Sequence, residues 1–339
     1  MGLSTAPGGL RFTGRQLATL WAVGAAVLLL AATTGCRARE RRPRKVRVFA
    51  AASLDQVLAD LATHLREAEG LEVETEISGS EEAARKISEY GSPADVLLVA
   101  DYQVIDWVLG PTYADWNLRF AANELVIGYG EQSRYAAEIT TDNWPAVLLR
   151  PDVKVARADE NLAPIGYQTL LCWQLASIKY KELLGGRDLE RTIERRMTQA
   201  LIRPTVTELV PLLGSRADYA FIYRSVAYGH NVPYVRLAPE VSLADPTQGA
   251  FYAKAQVELQ ETHRTIRGAP IVYGVTIPKG APNAEGGAQF VAALLSTEGR
   301  RALERNGFTV LPEFICDHPD RLPQTLRDDP QVRAAEPSP

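Results

Sequence analysis

From Lys45 to Asp101 the chain alternates strand-like and helix-like segments, and this alternation restricts the fold more than any other feature. KVRVFAAAS (Lys45–Ser53) reads as a buried strand. LDQVLADLATHLREAEG (Leu54–Gly70) carries Leu54, Val57, Leu58, Leu61 and Leu65 at helical spacing, with Gly70 as a stop. LEVETEIS (Leu71–Ser78) alternates like a strand, and EEAARKISEYG is a short helix ended by Gly91. ADVLLVAD (Ala94–Asp101) is a continuous apolar run, as in a central parallel strand. A β-α-β-α-β order implies an α/β fold with a parallel sheet and helices on its faces.

Further strands are expected at ELVIGYG (Glu124–Gly130), VKVARA (Val153–Ala158), DYAFIY (Asp218–Tyr223) and IVYGVTIP (Ile271–Pro278). Helices are expected at NWPAVLLRP (Asn143–Pro151), about Tyr167–Leu184, about Leu189–Leu201, about Glu208–Leu213 and, in two pieces, Gly287–Gly307. Residues 316–339 are Pro-, Asp- and Arg-rich with little apolar content and read as a disordered tail.

Four separated fragments share one property. FAAASL (Phe49–Leu54), SGSEEAARKI (Ser78–Ile87), APIGY (Ala163–Tyr167) and FIYRSVA (Phe221–Ala227) each put small residues, hydroxyls or a Pro/Gly turn where a strand passes into a helix. Helix N-termini present unpaired N–H groups and partial positive charge, so several facing one cleft suit a small anion.

The first 45 residues hold eight Lys/Arg against one acid, leaving the body with 29 basic and 40 acidic residues. An acidic body argues against nucleic acid as a partner. Arg11 and Arg15 precede an uncharged apolar run, Leu17–Ala32, and then Thr33, Thr34, Gly35 and Cys36. This is the pattern of an export signal at 1–36, with Cys36 as the lipidated residue and 37–45 as a basic tether. The other reading is an uncleaved anchor, for which the run is short. Both put the body outside the cytoplasmic membrane. Cys172 and Cys316 remain, and export permits a disulfide between them. The four histidines (64, 230, 263, 318) are scattered, there is no CxxC, and no P-loop occurs. A zinc site, a cofactor and catalysis on this chain are not expected.

FAAASL, GS before AARKI, PADVLLVAD, YADW, NELVIGY, TDNW, RPDVK, FIYRSVA, PIVYGVTIPK and STEG…NGF occur in this order. Together they resemble the periplasmic molybdate/tungstate-binding proteins of ABC importers over about Val46–Leu311. The archaeal-type branch is the closer match, with bacterial-branch features at FAAASL and FIY. The resemblance implies a type II periplasmic binding protein: two α/β lobes joined by two crossing strands. Lobe one is then 46–122 plus 276–315 and lobe two 123–275. It also implies a permease with a separate cytoplasmic ATPase as partner and a monomeric protein.

Carried over by motif, the oxyanion's partners are the hydroxyls of Ser53 and Ser80, backbone N–H groups at Ile165 and Val206, and the Tyr223 phenol. All are donors, matching a fully deprotonated oxyanion that only accepts. The residues alone leave other readings open: Ser53 and Ser80 as helix caps, Tyr223 as a core residue, Ile165 as a turn residue. Two positions where the archaeal-type branch has metal-approaching carboxylates are Ala163 and Ile222 here. This points to a four-coordinate, hydrogen-bonded anion. Glu81, Glu82, Asp159 and Glu160 are the acids near enough in sequence to substitute. The bland reading of Glu81 and Glu82 is that they face solvent and complement the helix dipole. Sulfate or another anion, and an anion-sensing rather than importing role, are the alternatives.

Overall fold

The structure, a computed structural model, describes residues 44–335 together with Gly2. The leader, Cys36 and most of the basic tether lie outside the described residues.

The first sheet has seven strands. β1 (Arg44–Ala51) pairs in parallel with β2 (Leu71–Ser78) on one side and with β3 (Val96–Val99) on the other. Between them run the helices Asp55–Glu69 and Ser80–Ser88. The first buries Val57, Leu58, Leu61 and Leu65, and ends where Gly70 takes the left-handed φ of 62°. Beyond β3 the sheet is mixed. β12 (Val272–Thr276) lies antiparallel between β3 and β4 (Leu118–Ala122), and β13 (Thr309–Cys316) runs antiparallel to β4. β14 (Val332–Ala334) closes the edge beside β13.

The second sheet has the order β7-β6-β8-β5-β9, with β5 at Leu125–Tyr129, β6 at Val155–Ala158, β7 at Ile202–Arg203, β8 at Tyr219–Tyr223 and β9 at Tyr234–Arg236. Its core centres on Phe221, met edge-on by Trp144 at 5.7 Å and Trp173 at 5.6 Å. The helix Pro164–Lys179 is buried over most of its first three turns.

The chain passes from the first sheet to the second at Asn123–Glu124, between β4 and β5. The return comes earlier than the expected residue 276. β12 belongs wholly to the first sheet because both its edges are paired there. The expected disordered tail is also different. Residues 317–335 fold back on the first lobe because their few apolar residues are used: Leu322 and Leu326 are buried, and β14 adds a strand. Cys172 and Cys316 are both buried free thiols, so the disulfide that export would permit is not formed. Among the described residues no helix is long and apolar enough to cross a membrane.

Candidate functional site

The ends of β1, β2 and β8 and the turn before the Pro164 helix meet at one small cavity between the two sheets. It is lined by Ala51–Ser53, Ser78–Ser80 and Ala100 from the first lobe, and by Ala163–Ile165, Thr205, Val206 and Tyr223 from the second. All five residues proposed from the sequence (Ser53, Ser80, Ile165, Val206, Tyr223) line it, and all are buried. No charged side chain does. The cavity is small, about 10 Å3, at the lower limit for one water molecule.

Helix starts account for this convergence. The Ser80 helix, the 16-residue Pro164 helix and the 3-10 segments at Ala52–Leu54 and Thr207–Leu212 all begin at or next to the cavity wall. The first N–H groups of a helix have no intrahelical partner and sum to partial positive charge. Pro164 occupies the first helical position without a lost bond, since that amide would be unpaired anyway. Gly166 lets the turn close: a Cβ there would lie 2.5 Å from Asp159 backbone carbon.

The two serines are not caps. Ala51 and Gly79 hold the cap positions, and neither helix has a side-chain capping bond. Ser80 Oγ instead accepts from Ala100 N at 2.9 Å, which leaves its proton for the cavity. Ser53 Oγ is 2.7 Å from Tyr273 Oη, and Asn123 Nδ2 donates to Tyr273 Oη at 3.1 Å. Tyr273 accepts from Asn123, and when its own proton goes to Ser53 the Ser53 proton is left to point inward. This relay of Asn123, Tyr273 and Ser53 orients a neutral donor. Burial pushes the Tyr273 phenol well above its ordinary range, so it remains protonated.

Tyr223 differs. Its hydroxyl donates to Gln168 Oε1 at 2.7 Å. In that amide orientation the phenol turns a lone pair to the cavity. Rotating the Gln168 amide makes Nε2 the donor and frees the phenolic proton.

Outside this wall lies a second layer that crosses between lobes. Tyr167, on the Pro164 helix, donates to Asp101 Oδ2 at 2.8 Å. Burial raises the Asp101 carboxyl to about 6, against the pull of the Gln103 amide and the Tyr167 hydroxyl. Arg85 donates to Glu261 Oε2 at 2.7 Å and to the Asn161 carbonyl at 3.0 Å. Gly79 packs so closely under the opposite lobe that a Cβ there would lie 2.0 Å from the Leu162 carbonyl oxygen.

The bacterial extracellular solute-binding protein family matches residues 46–309. This chain belongs to that family. An uncharacterized solute-binding protein of Petrotoga mobilis is 39% identical over 266 residues, which is 76% of this chain and 81% of that one. The molybdate/tungstate-binding protein of Pyrococcus abyssi is 35% identical over 290 residues, covering 78% and 84%. The solved periplasmic molybdate-binding protein of Azotobacter vinelandii superposes with a TM-score of 0.56 over 79% of this chain and all of that one, at 17% identity. The sulfate-binding protein SubI of Mycobacterium tuberculosis gives 0.55 over 78% and 86%, at 13% identity. At such identities these two establish the fold: a type II periplasmic binding protein, as expected.

In this solute-binding protein none of the four candidate substitute acids lines the cavity. Glu82 pairs with Lys86 at 3.0 Å near the surface. Asp159 accepts from Asn161 N at 2.9 Å, and Glu160 pairs with Arg157. Glu81 departs from its solvent-facing expectation: it is 4% exposed, and neither carboxylate oxygen has a partner. Ala163 puts a methyl group at the wall, and Ile222 is buried off the cavity, against Gly128. Among the described residues no cluster of His, Cys, Asp or Glu is arranged to hold a metal ion. Asn123, Tyr273 and Asp101 lie in motifs quoted above and Gln168 in none, but no local pattern gives any of them a role at the site. Each acts from another element, which only the fold brings near.

Proposed function

We propose that this protein captures molybdate or tungstate outside the cytoplasmic membrane and passes it to an ABC permease driven by a separate ATPase. The observation carrying this reading is a small cavity between the lobes that brings together hydroxyl residues and the first residues of several helices, with no charged side chain on it. Such a wall matches an anion that carries no proton and only accepts hydrogen bonds. The Pyrococcus relative, named for the same anions, supports it. Ser53, Ser80 and the amides of Ile165 and Val206 donate to the oxyanion's oxygens. Tyr223 joins them when Gln168 turns its amide. Hydrogen phosphate is disfavoured because its own proton needs an acceptor that this wall supplies poorly. The ligand is held by its oxygens, with no protein atom on the metal centre. Cys36 tethers the monomer by lipid to the outer face of the membrane.

The small volume of the cavity favours sulfate as a second reading, since sulfate is the more compact dianion. Calorimetric titration of the purified protein with molybdate, tungstate, sulfate and phosphate separates the two. Tight binding of the first two alone is expected. Binding of sulfate alone replaces the ligand, and binding of none overturns the oxyanion reading.

A further inference from the structure

Among the described residues, Glu81 is an acidic side chain both deeply buried and without a hydrogen bond at either carboxylate oxygen. It follows Ser80 directly but stays outside the oxyanion cavity. Its side chain borders a second cleft of about 180 Å3, bounded by Glu81, Arg85 and Trp107 from the first lobe and by Asn161, Leu259 and Arg264 from the second. Both lobes are therefore needed to bury it.

The charged and titratable groups around Glu81 do not neutralise it. Asp101, at the end of β3, adds a like charge. Arg85, on the same helix, spends its guanidinium on Glu261 and the Asn161 carbonyl. Tyr167, from the Pro164 helix, gives its proton to Asp101, and Tyr223, on β8, gives its own to Gln168. Glu89 and Arg264 lie further along the cleft. A carboxylate in this position is shut from water with no well-formed hydrogen bond at either oxygen, and burying it costs far more than burying the neutral acid.

The residues lining the oxyanion cavity are buried between the lobes, so a ligand enters only when the lobes part. Parting them opens the same seam that covers Glu81, and water reaches it. We infer that Glu81 enters the closed state as the neutral acid, so that capture of one oxyanion, on the reading proposed above, takes up one proton. The proton passes from solvent to a Glu81 carboxylate oxygen on closure and returns to solvent on opening. It removes one negative charge from a region that already holds Asp101 and would lie near a dianion.

Burial, reinforced by Asp101, pushes the Glu81 carboxyl up to about 8, against the pull of its own backbone N–H, Arg85 and the Tyr167 hydroxyl. An exposed glutamate titrates near about 4.3. The sign follows: a carboxyl raised in the closed state favours closure at low pH, and that advantage is lost as pH rises through the closed-state value. Affinity then falls by up to about tenfold per pH unit between about pH 5 and 8, and levels off above.

Titration calorimetry with molybdate at pH 7, in buffers of differing ionisation enthalpy, counts the protons directly. The wild-type protein is expected to take up about one proton per anion. Glu81→Gln, and Glu81→Met as a second neutral variant, are expected to bind with uptake near zero and with a nearly flat affinity from pH 6 to 8. Binding by the wild type without uptake, or the same uptake in both variants, overturns the inference. If no protein binds molybdate, it is the ligand reading that has failed. The proton count is then repeated with sulfate, the second reading: binding without uptake, or the same uptake in both variants, overturns the inference, and with no oxyanion bound the inference falls with the reading it rests on.

Discussion

The two walls of the oxyanion cavity are built differently. The first lobe offers side-chain hydroxyls, Ser53 and Ser80, each turned inward by a buried partner: Tyr273 for one and the Ala100 amide for the other. The second offers mainly backbone, at Ile165 and Val206, plus a phenol whose proton is held by Gln168. Backbone donors survive any side-chain change that keeps the turn; hydroxyl donors do not. Substitutions on the first wall should therefore be costly and those on the second mild.

The largest effect is expected where the walls meet. Gly79 has φ −69° and ψ 152°, which any residue adopts, so Gly79→Ala should leave each lobe intact. Its methyl would occupy the position of the Leu162 carbonyl oxygen. Overpacking of this kind costs about 1–3 kcal/mol or more. A loss of about 100-fold in molybdate affinity with an unchanged melting temperature of the ligand-free protein is expected, read by calorimetry and thermal unfolding. Next is Ser80→Ala, which removes a donor and strands the Ala100 amide. A buried unsatisfied group costs about 1–3 kcal/mol, so affinity should fall by about 10- to 100-fold, with some loss of stability.

Tyr273→Phe sharpens the comparison without touching the wall. It leaves Ser53 in place but removes the acceptor of Asn123 and the donor that orients Ser53. About tenfold weaker binding is expected, close to one lost hydrogen bond of about 1 kcal/mol. On the second wall, Tyr223→Phe should cost less than about threefold while Gln168 holds the phenolic proton. Ile165→Ala should be smaller again, since its amide stays. A ranking with the second wall ahead of the first would break the comparison.

Much of this arrangement was legible in the chain, because Ser53, Ser80, Ile165 and Tyr223 each sit in a fragment with its own strand-to-helix grammar, while Val206 does not. FAAASL, SGSEE and APIGY announce helix starts through small residues and Pro/Gly turns, and those starts are where the cavity forms. The supporting layer was not legible. Asn123, Gln168 and Tyr273 are ordinary polar and aromatic residues whose meaning depends on distant contacts. Glu81 is the clearest case. Two adjacent glutamates in a first helical turn read alike, yet Glu82 reaches solvent and Lys86 while Glu81 is shut under the opposite lobe. The tail failed for a related reason: Leu322 and Leu326 are too few to mark a folded segment by composition, but both join the main core, the short helix Gln324–Arg327 that carries Leu326 lying against the helix Ala284–Leu295.

The central claim, a neutral wall of donors around a bare oxyanion, is tested most directly by a crystal structure with molybdate, locating the metal by anomalous scattering. The account predicts one molybdenum centre in this cavity. Its oxygens should lie within hydrogen-bond distance of Ser53, Ser80 and the Ile165 and Val206 amides, with no carboxylate on the metal. A molybdenum centre outside the cavity, or one ligated by Glu81 or Asp159, would contradict it.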